Sequence, residues 1–115
     1  MNKADISYYY HYLNVSPDTE LPFEQLQRIF LMMIKNFKNE EFGLDTLSNF
    51  ASSLWPTPND SDTEEEVELK DVIHGCAEIS FEMRKIPELD ELGQGFLSNF
   101  LATMKYYEKY KSLLN

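Results

Sequence analysis

Apolar residues recur along much of this chain at intervals of three and four, the spacing that lines one face of an α-helix. After Pro22, which suits a first helical turn, Phe23, Leu26, Phe30, Met33 and Phe37 form one such stripe. A shorter set follows at Leu44, Leu47, Ala51, Leu54 and Trp55, and Pro56 and Pro58 stop it before the turn "PTPNDSD". The longest regular series is Leu69, Val72, Cys76, Ile79, Met83 and Ile86, closed by Pro87, which predicts a fourth helix over about residues 63 to 85. Beyond Gly93 and Gly95, the set Phe96, Leu97, Phe100, Leu101, Met104 and Tyr107 predicts a last helix, with lysines near its C-terminus where the macrodipole favours them.

The N-terminal "DISYYYHYLNV" fits two patterns. Ile6, Tyr9, Tyr10 and Leu13 share one side of a helix, whereas a Tyr-rich run over residues 5 to 13 also suits a strand. Helix is the reading adopted. Connections between the segments are short, so the expected architecture is all-α, an antiparallel bundle of four to five helices forming a single domain over residues 1 to 115.

Composition supports a folded domain. A chain of 115 residues can remove roughly two thirds of its unfolded surface from water. Its hydrophobic content is 43%, with eight Phe, seven Tyr and one Trp, which is too apolar for disorder despite a net charge of -10. The single cysteine, Cys76, can close no disulfide within the chain, so a reducing, cytoplasmic setting is expected. No basic start with an apolar core opens the sequence, and Ile29 to Ile34 is too short a run to span a bilayer. A pI near 4.5 disfavours direct binding of nucleic acid or anionic lipid, both of which reward clustered Lys and Arg. A basic protein is the electrostatically favoured partner, and oligomeric state is not legible.

The acidity is concentrated. In "SDTEEEVELKD", Ser61 to Asp71, six of eleven residues are acidic. Residues 60 to 71 carry one positive and seven negative charges, so six of the ten net negative charges fall there. Part of this run has a structural purpose. Ser61 or Asp62 can cap the helix, with Ser61 and Glu64 spaced as a capping box, and Glu64, Glu65 and Glu66 each gain about 0.3–1 kcal/mol from the helix dipole in the first turn. Capping does not account for the continuation through Glu64, Glu68, Asp71, Glu78 and Glu82, which share one helix face about a quarter turn from the apolar series. Solvation and recognition are both open readings of that stripe. For recognition, the candidate contacts are Asp62, Glu65, Glu68, Asp71 and Glu78, with Trp55 as an aromatic anchor or, alternatively, core packing at a helix end.

Catalytic chemistry finds little support. His74, Cys76 and Glu78 alternate, which spreads them around a helix, and Cys76 lies on the apolar stripe as a structural thiol would. His11 is far away in sequence. No Gly-rich phosphate loop, nucleophile elbow or metalloprotease motif occurs, so no catalytic residue, metal or cofactor is expected and the chain is read as a non-enzyme.

Two resemblances follow. The stretch "YYYHYLNVSPDTELPFEQL", through Tyr9, Tyr10, Leu13, Val15, Ser16, Pro17 and Asp18, resembles the start of a J-domain, but the next segment "RIFLMMIKNFKNEEFG" is mostly apolar and lacks His-Pro-Asp. From about Leu21 to Lys85, the helix "PFEQLQRIFLMMIKNF", the short segment ending "LDTLSNFASSLWP", an acidic Pro-containing turn and a long acid-led helix resemble bacterial immunity proteins of the colicin D type and of contact-dependent growth inhibition. That resemblance implies a small cytosolic helical protein that binds one basic toxin domain, often a nuclease, and blocks its nucleic-acid site. The Tyr-rich N-terminus and long last helix depart from the compact colicin D layout. The alternative is a regulatory or adaptor bundle that takes a partner helix in an apolar groove.

Overall fold

The computed structural model describes residues 2–17, 20–83 and 89–114. Five α-helices follow in order: α1 (Ile6–Leu13), α2 (Phe23–Lys38), α3 (Leu44–Leu54), α4 (Glu64–Met83) and α5 (Leu89–Tyr110), with a 3-10 turn at Lys111–Leu114. No strand occurs among the described residues. The protein is an all-α bundle.

The Tyr-rich N-terminus is helical, and capping explains why. The Asp5 carboxylate accepts the Ser7 N–H at 2.9 Å, and the chain leaves the helix through Asn14 in the left-handed region at φ 57°. Tyr9 is fully buried because its hydroxyl finds partners, donating to the Lys3 carbonyl at 2.7 Å and accepting from Asn36 of α2 at 3.0 Å. A buried phenol without such partners would cost a few kcal/mol.

Helix α2 is the centre of the molecule. It touches α1, α3, α4, α5 and the 3-10 turn. Leu26, Phe30 and Met33 are buried as their spacing predicts, but Ile29, Leu31 and Ile34 are fully buried too, while Phe23 and Phe37 stay partly exposed. One stripe buries a helix against one neighbour; several neighbours bury it over most of its circumference. Pro22 precedes α2 at the cap position, its carbonyl accepting the Leu26 N–H at 2.9 Å.

Helix α4 lies between α3 and α5, packing extensively on both. On the α3 side, the buried Ser48 hydroxyl lies 2.7 Å from the Cys76 carbonyl and 3.0 Å from that of Ala77, and accepts the Ser80 N–H at 2.8 Å. On the α5 side, Gly75 meets Asn99 so closely that a Cβ there would stand 2.8 Å from the Asn99 amide oxygen. Because two helices flank it, α4 buries Leu69, Ile73, Cys76, Ala77 and Ile79, a wider set than the predicted series. Its core direction is rotated accordingly. At about 100° per residue, Asp71 and Glu78 point nearly opposite the centre of that set, so the acidic stripe does not border the core as its spacing suggested.

Helix α5 corrects a second expectation. It starts at Leu89 and runs through Gly93 and Gly95, neither of which has a positive φ. Glycine weakens a helix by about 1 kcal/mol without stopping it, and long packing along α4 offsets that. Its buried face also differs: Leu97 and Leu101 are 53% and 45% exposed, whereas Thr103 and Tyr106 are buried. Thr103 donates to the Asn99 carbonyl at 2.8 Å and Tyr106 accepts from the buried Gln27 amide at 3.0 Å, so both polar tips are satisfied inside. The predicted stop at Pro87, with Lys85 and Ile86, and Asp18 of the J-domain-like stretch lie outside the described residues, as do the side chains of Glu82, Met83 and Phe96.

Candidate functional site: the outer face of α4

The α3–α4 connection sets where α4 begins. The capping box forms two residues later than the Ser61–Glu64 spacing suggests: the Thr63 hydroxyl accepts the Glu66 N–H at 3.2 Å, and the Glu66 carboxylate accepts the Thr63 N–H at 3.3 Å. Asp62 is thereby released from capping and turns inward. Its carboxylate accepts the Asn59 N–H at 2.8 Å and takes Lys70 Nζ with both oxygens, at 2.7 and 2.8 Å. The Lys70 ammonium also donates to the Thr57 carbonyl at 2.9 Å. The two side chains are only 5% and 13% exposed, so Asp62 fastens the loop to α4 and leaves almost no carboxylate surface for a partner. The hydrogen bond from Lys70, helped by the Asn59 N–H, holds its carboxyl below the usual range.

Glu68 is also engaged within the bundle. It accepts from the Tyr110 hydroxyl at 2.5 Å and from Lys109 Nζ at 3.0 Å, tying the second turn of α4 to the end of α5. The Tyr110 hydrogen bond first, and Lys109 second, lower its carboxyl below the usual value. The same contact raises Lys109 and Tyr110.

The remaining candidates stand free. Glu64 and Glu65 in the first turn, then Asp71 and Glu78, are exposed and form no hydrogen bond or ion pair among the described residues. Val67, also exposed, sits one turn before Asp71 on the same side. Five ion pairs occur among the described residues. None of these, Lys3 with Glu41, Lys38 and Lys111 with Glu108, Lys109 with Glu68 and Lys70 with Asp62, takes in Glu64, Glu65, Asp71 or Glu78, although the Lys109–Glu68 pair stands one turn from Glu64 and from Asp71. Glu64, Asp71 and Glu78 are therefore unpaired carboxylates on the outside of α4, with Glu65, one turn before the buried Leu69, exposed at its start.

Trp55 completes one edge. It follows α3, is 52% exposed, and stacks on His74 with ring centroids 4.2 Å apart and planes 26° from parallel. Core packing at a helix end is thus not its environment. His74 Nε2 lies 2.7 Å from the Pro56 carbonyl, which can only accept, so that nitrogen carries the proton. On α4, His74 is one turn from Asp71 and one turn from Glu78, so the indole–imidazole pair borders the two free carboxylates. His74 did not figure among the predicted contacts. Its spacing to Asp71 and Glu78 was visible, but its stacking on a residue nineteen positions earlier was not.

Next to Trp55 opens a cleft of about 610 Å³ between α1, the start of α2, the end of α3 and the first turns of α4. Leu26 and Leu69 form its buried floor, and Glu20, Trp55 and Glu66 stand around it. The Lys70 stem lines it as well, with its charge held by Asp62.

Other chemistry has less to work with. Among the described residues no group of three His, Cys, Asp or Glu side chains could hold a metal ion. Cys76 is fully buried, and burial pushes its thiol up to about 12, which makes it a poor nucleophile. His11 is exposed on α1. No helix of the described residues is long and apolar enough to cross a membrane. Compared with protein-family models, curated proteins and solved structures, the chain matches none.

Proposed function

We infer that this is a binding protein for one basic protein domain, and that it acts as an immunity protein, neutralising a bacterial toxin by occupying a cationic nucleic-acid site. One observation carries the inference: Glu64, Asp71 and Glu78 line the outside of α4, with Glu65 exposed at its first turn, and none of them forms an ion pair among the described residues, beside an exposed tryptophan. A site built to hold phosphates presents Lys and Arg. A rigid helix of carboxylates offers the same sign of charge as the nucleic acid it would displace. Tryptophan at the edge supplies the apolar area that charge alone lacks, as interface anchors do. Steering by such a field raises association rates by about 10 to 10³-fold, which suits capture of a toxin before it acts.

The test is charge reversal at positions that do no structural work. Asp71→Lys with Glu78→Lys should weaken binding of a basic bait domain, chiefly through slower association, and wild-type binding should fall as salt rises. Glu68 is unsuitable for reversal because its loss also frees Tyr110 and Lys109. Unchanged affinity of the double variant, with the fold intact by circular dichroism, would sink the electrostatic reading.

A second reading rests on Leu97 and Leu101, exposed one turn apart on α5. They favour an adaptor that takes a partner helix on an apolar face. Such a complex should resist salt and be lost with Leu97→Ser and Leu101→Ser.

A further inference from the structure

We propose that the cleft beside Trp55 is the seat for an arginine-bearing turn of the basic partner, with the indole as its stacking platform and Glu20 and Glu66 as its charge partners. This rests on the reading of the protein as a binder of a basic domain and adds where that domain is anchored.

Three features of the cleft select that occupant. Its volume, about 610 Å³, matches sites that enclose a small molecule or a few residues, and is too small for a helix laid along it. Leu26 and Leu69 give it an apolar floor and Glu20 and Glu66 are its acidic lining residues, Glu66 with one oxygen on the Thr63 N–H, while the one lining cation, Lys70, is already neutralised by Asp62. The cleft is therefore negative around an apolar base. Trp55 lines it and is half exposed although His74 stacks on the ring, so indole surface remains open. A guanidinium satisfies all three at once: it stacks flat on an aromatic face, donates to carboxylates through a planar fork, and lays an aliphatic stem on apolar side chains. Lysine could meet the charge but neither the stacking nor the fork. The cleft adjoins the acidic face of α4 through the Trp55–His74 pair, so one partner surface could reach both.

The chain supplies its own reporter, since Trp55 is the only tryptophan. The full protein, labelled with ¹⁵N, would be titrated with a blocked Gly-Arg-Gly peptide and with its citrulline counterpart, which keeps the shape and loses the charge. Arginine should give saturable shifts at the Trp55 indole N–H and the Tyr10, Ser53 and Thr57 amides, with affinity about tenfold or more above citrulline. Glu20→Gln with Glu66→Gln should abolish that preference; glutamine at 66 still completes the capping box, so α4 keeps its start. Asp71→Lys with Glu78→Lys, which changes no residue lining the cleft, should leave the preference for arginine over citrulline in place.

Equal responses to arginine and citrulline would overturn the proposal. So would shifts that cluster at Glu64, Asp71 and Glu78, or a preference that survives the two glutamines. The two ideas fail separately. Loss of bait binding on reversal of Asp71 and Glu78, without an arginine seat, leaves the acidic face and removes the cleft. A seat that holds arginine, with bait binding indifferent to that reversal, does the opposite.

Discussion

Ser48→Ala probes the joint on which the distal half of the acidic face depends. The Ser48 side chain is fully buried, and its hydroxyl accepts the Ser80 N–H while donating to the carbonyl of Cys76 or Ala77. A hydroxyl has one proton, so two bonds are held at a time, and alanine removes both. Leaving a buried donor or acceptor unsatisfied costs about 1–3 kcal/mol. Part is recovered if α4 tightens its own backbone ladder in response, which places the expected loss at about 2–3 kcal/mol. With an unfolding entropy of about 2.1 cal/mol/K per residue, the melting temperature should fall by about 8–12 °C. Urea denaturation should show a lower midpoint with an unchanged slope, because little surface is added to or removed from either state. Ser53→Ala is the control, since its hydroxyl makes only an exposed bond to the Asn49 carbonyl at 3.1 Å and should shift stability by no more than about 0.5 kcal/mol. Glu78 lies within the segment that Ser48 holds, so hydrogen exchange should quicken at residues 76 to 80 in the Ser48 variant. A Ser48→Ala protein as stable as the Ser53→Ala protein would refute the reasoning.

Three further outcomes are expected. Glu68 has a lowered folded pKa, so its contribution is full above the ordinary glutamate value of 4.5 and lost as pH falls through the lower, folded one; Glu68→Gln should flatten that acid limb in a urea midpoint series. Asp62→Ala should destabilise more than Asp62→Ala combined with Lys70→Met, because the single variant leaves a lysine whose side chain is 13% exposed without its counter-charge, held by the Thr57 carbonyl alone, and a double-mutant cycle by urea unfolding reads the difference. Cys76 should react with a thiol reagent at pH 8 roughly a thousandfold or more slowly than in urea; comparable rates would show that the α3–α4–α5 core opens easily.

Spacing revealed that the chain is helical and roughly where four helices lie, because period and proline positions are local signals. Burial depended on neighbours instead. Ile29, Leu31 and Ile34 are interior because α2 is surrounded, which no stripe on α2 announces. Thr103 and Tyr106 replaced Leu97 and Leu101 in the core because their polar tips meet Asn99 and Gln27, pairings that cross the chain or hide within a turn. At the candidate site, sequence identified a surplus of carboxylates but not their allocation. Thr63 took the cap, Asp62 took Lys70, Glu68 took Tyr110 and Lys109, and only geometry could divide these from Glu64, Glu65, Asp71 and Glu78.

That division bears on what an acidic helix costs the protein that carries it. Asp71 and Glu78 are two turns apart, about 10 Å along the axis, where two like charges in water repel by about 0.4 kcal/mol before screening. A helix cap is worth more than that. The lysines that could have quenched such repulsion are placed where pairing adds structure: across to α5 at Glu68, and beneath the loop at Asp62. Between Asp71 and Glu78 stands a histidine that stacks on Trp55, where a lysine would have quenched the face. The bundle can therefore hold an unneutralised face at small expense in stability, and the cost falls where a basic partner would repay it. For that reason His74→Lys is the sharpest single substitution on this surface. It also removes the Trp55 stacking and the hydrogen bond to the Pro56 carbonyl, so it is compared with the uncharged His74→Gln, beyond which the cation added between the two carboxylates should slow association with a basic domain. Faster or unchanged association would mean that the field of α4 is not what the partner feels.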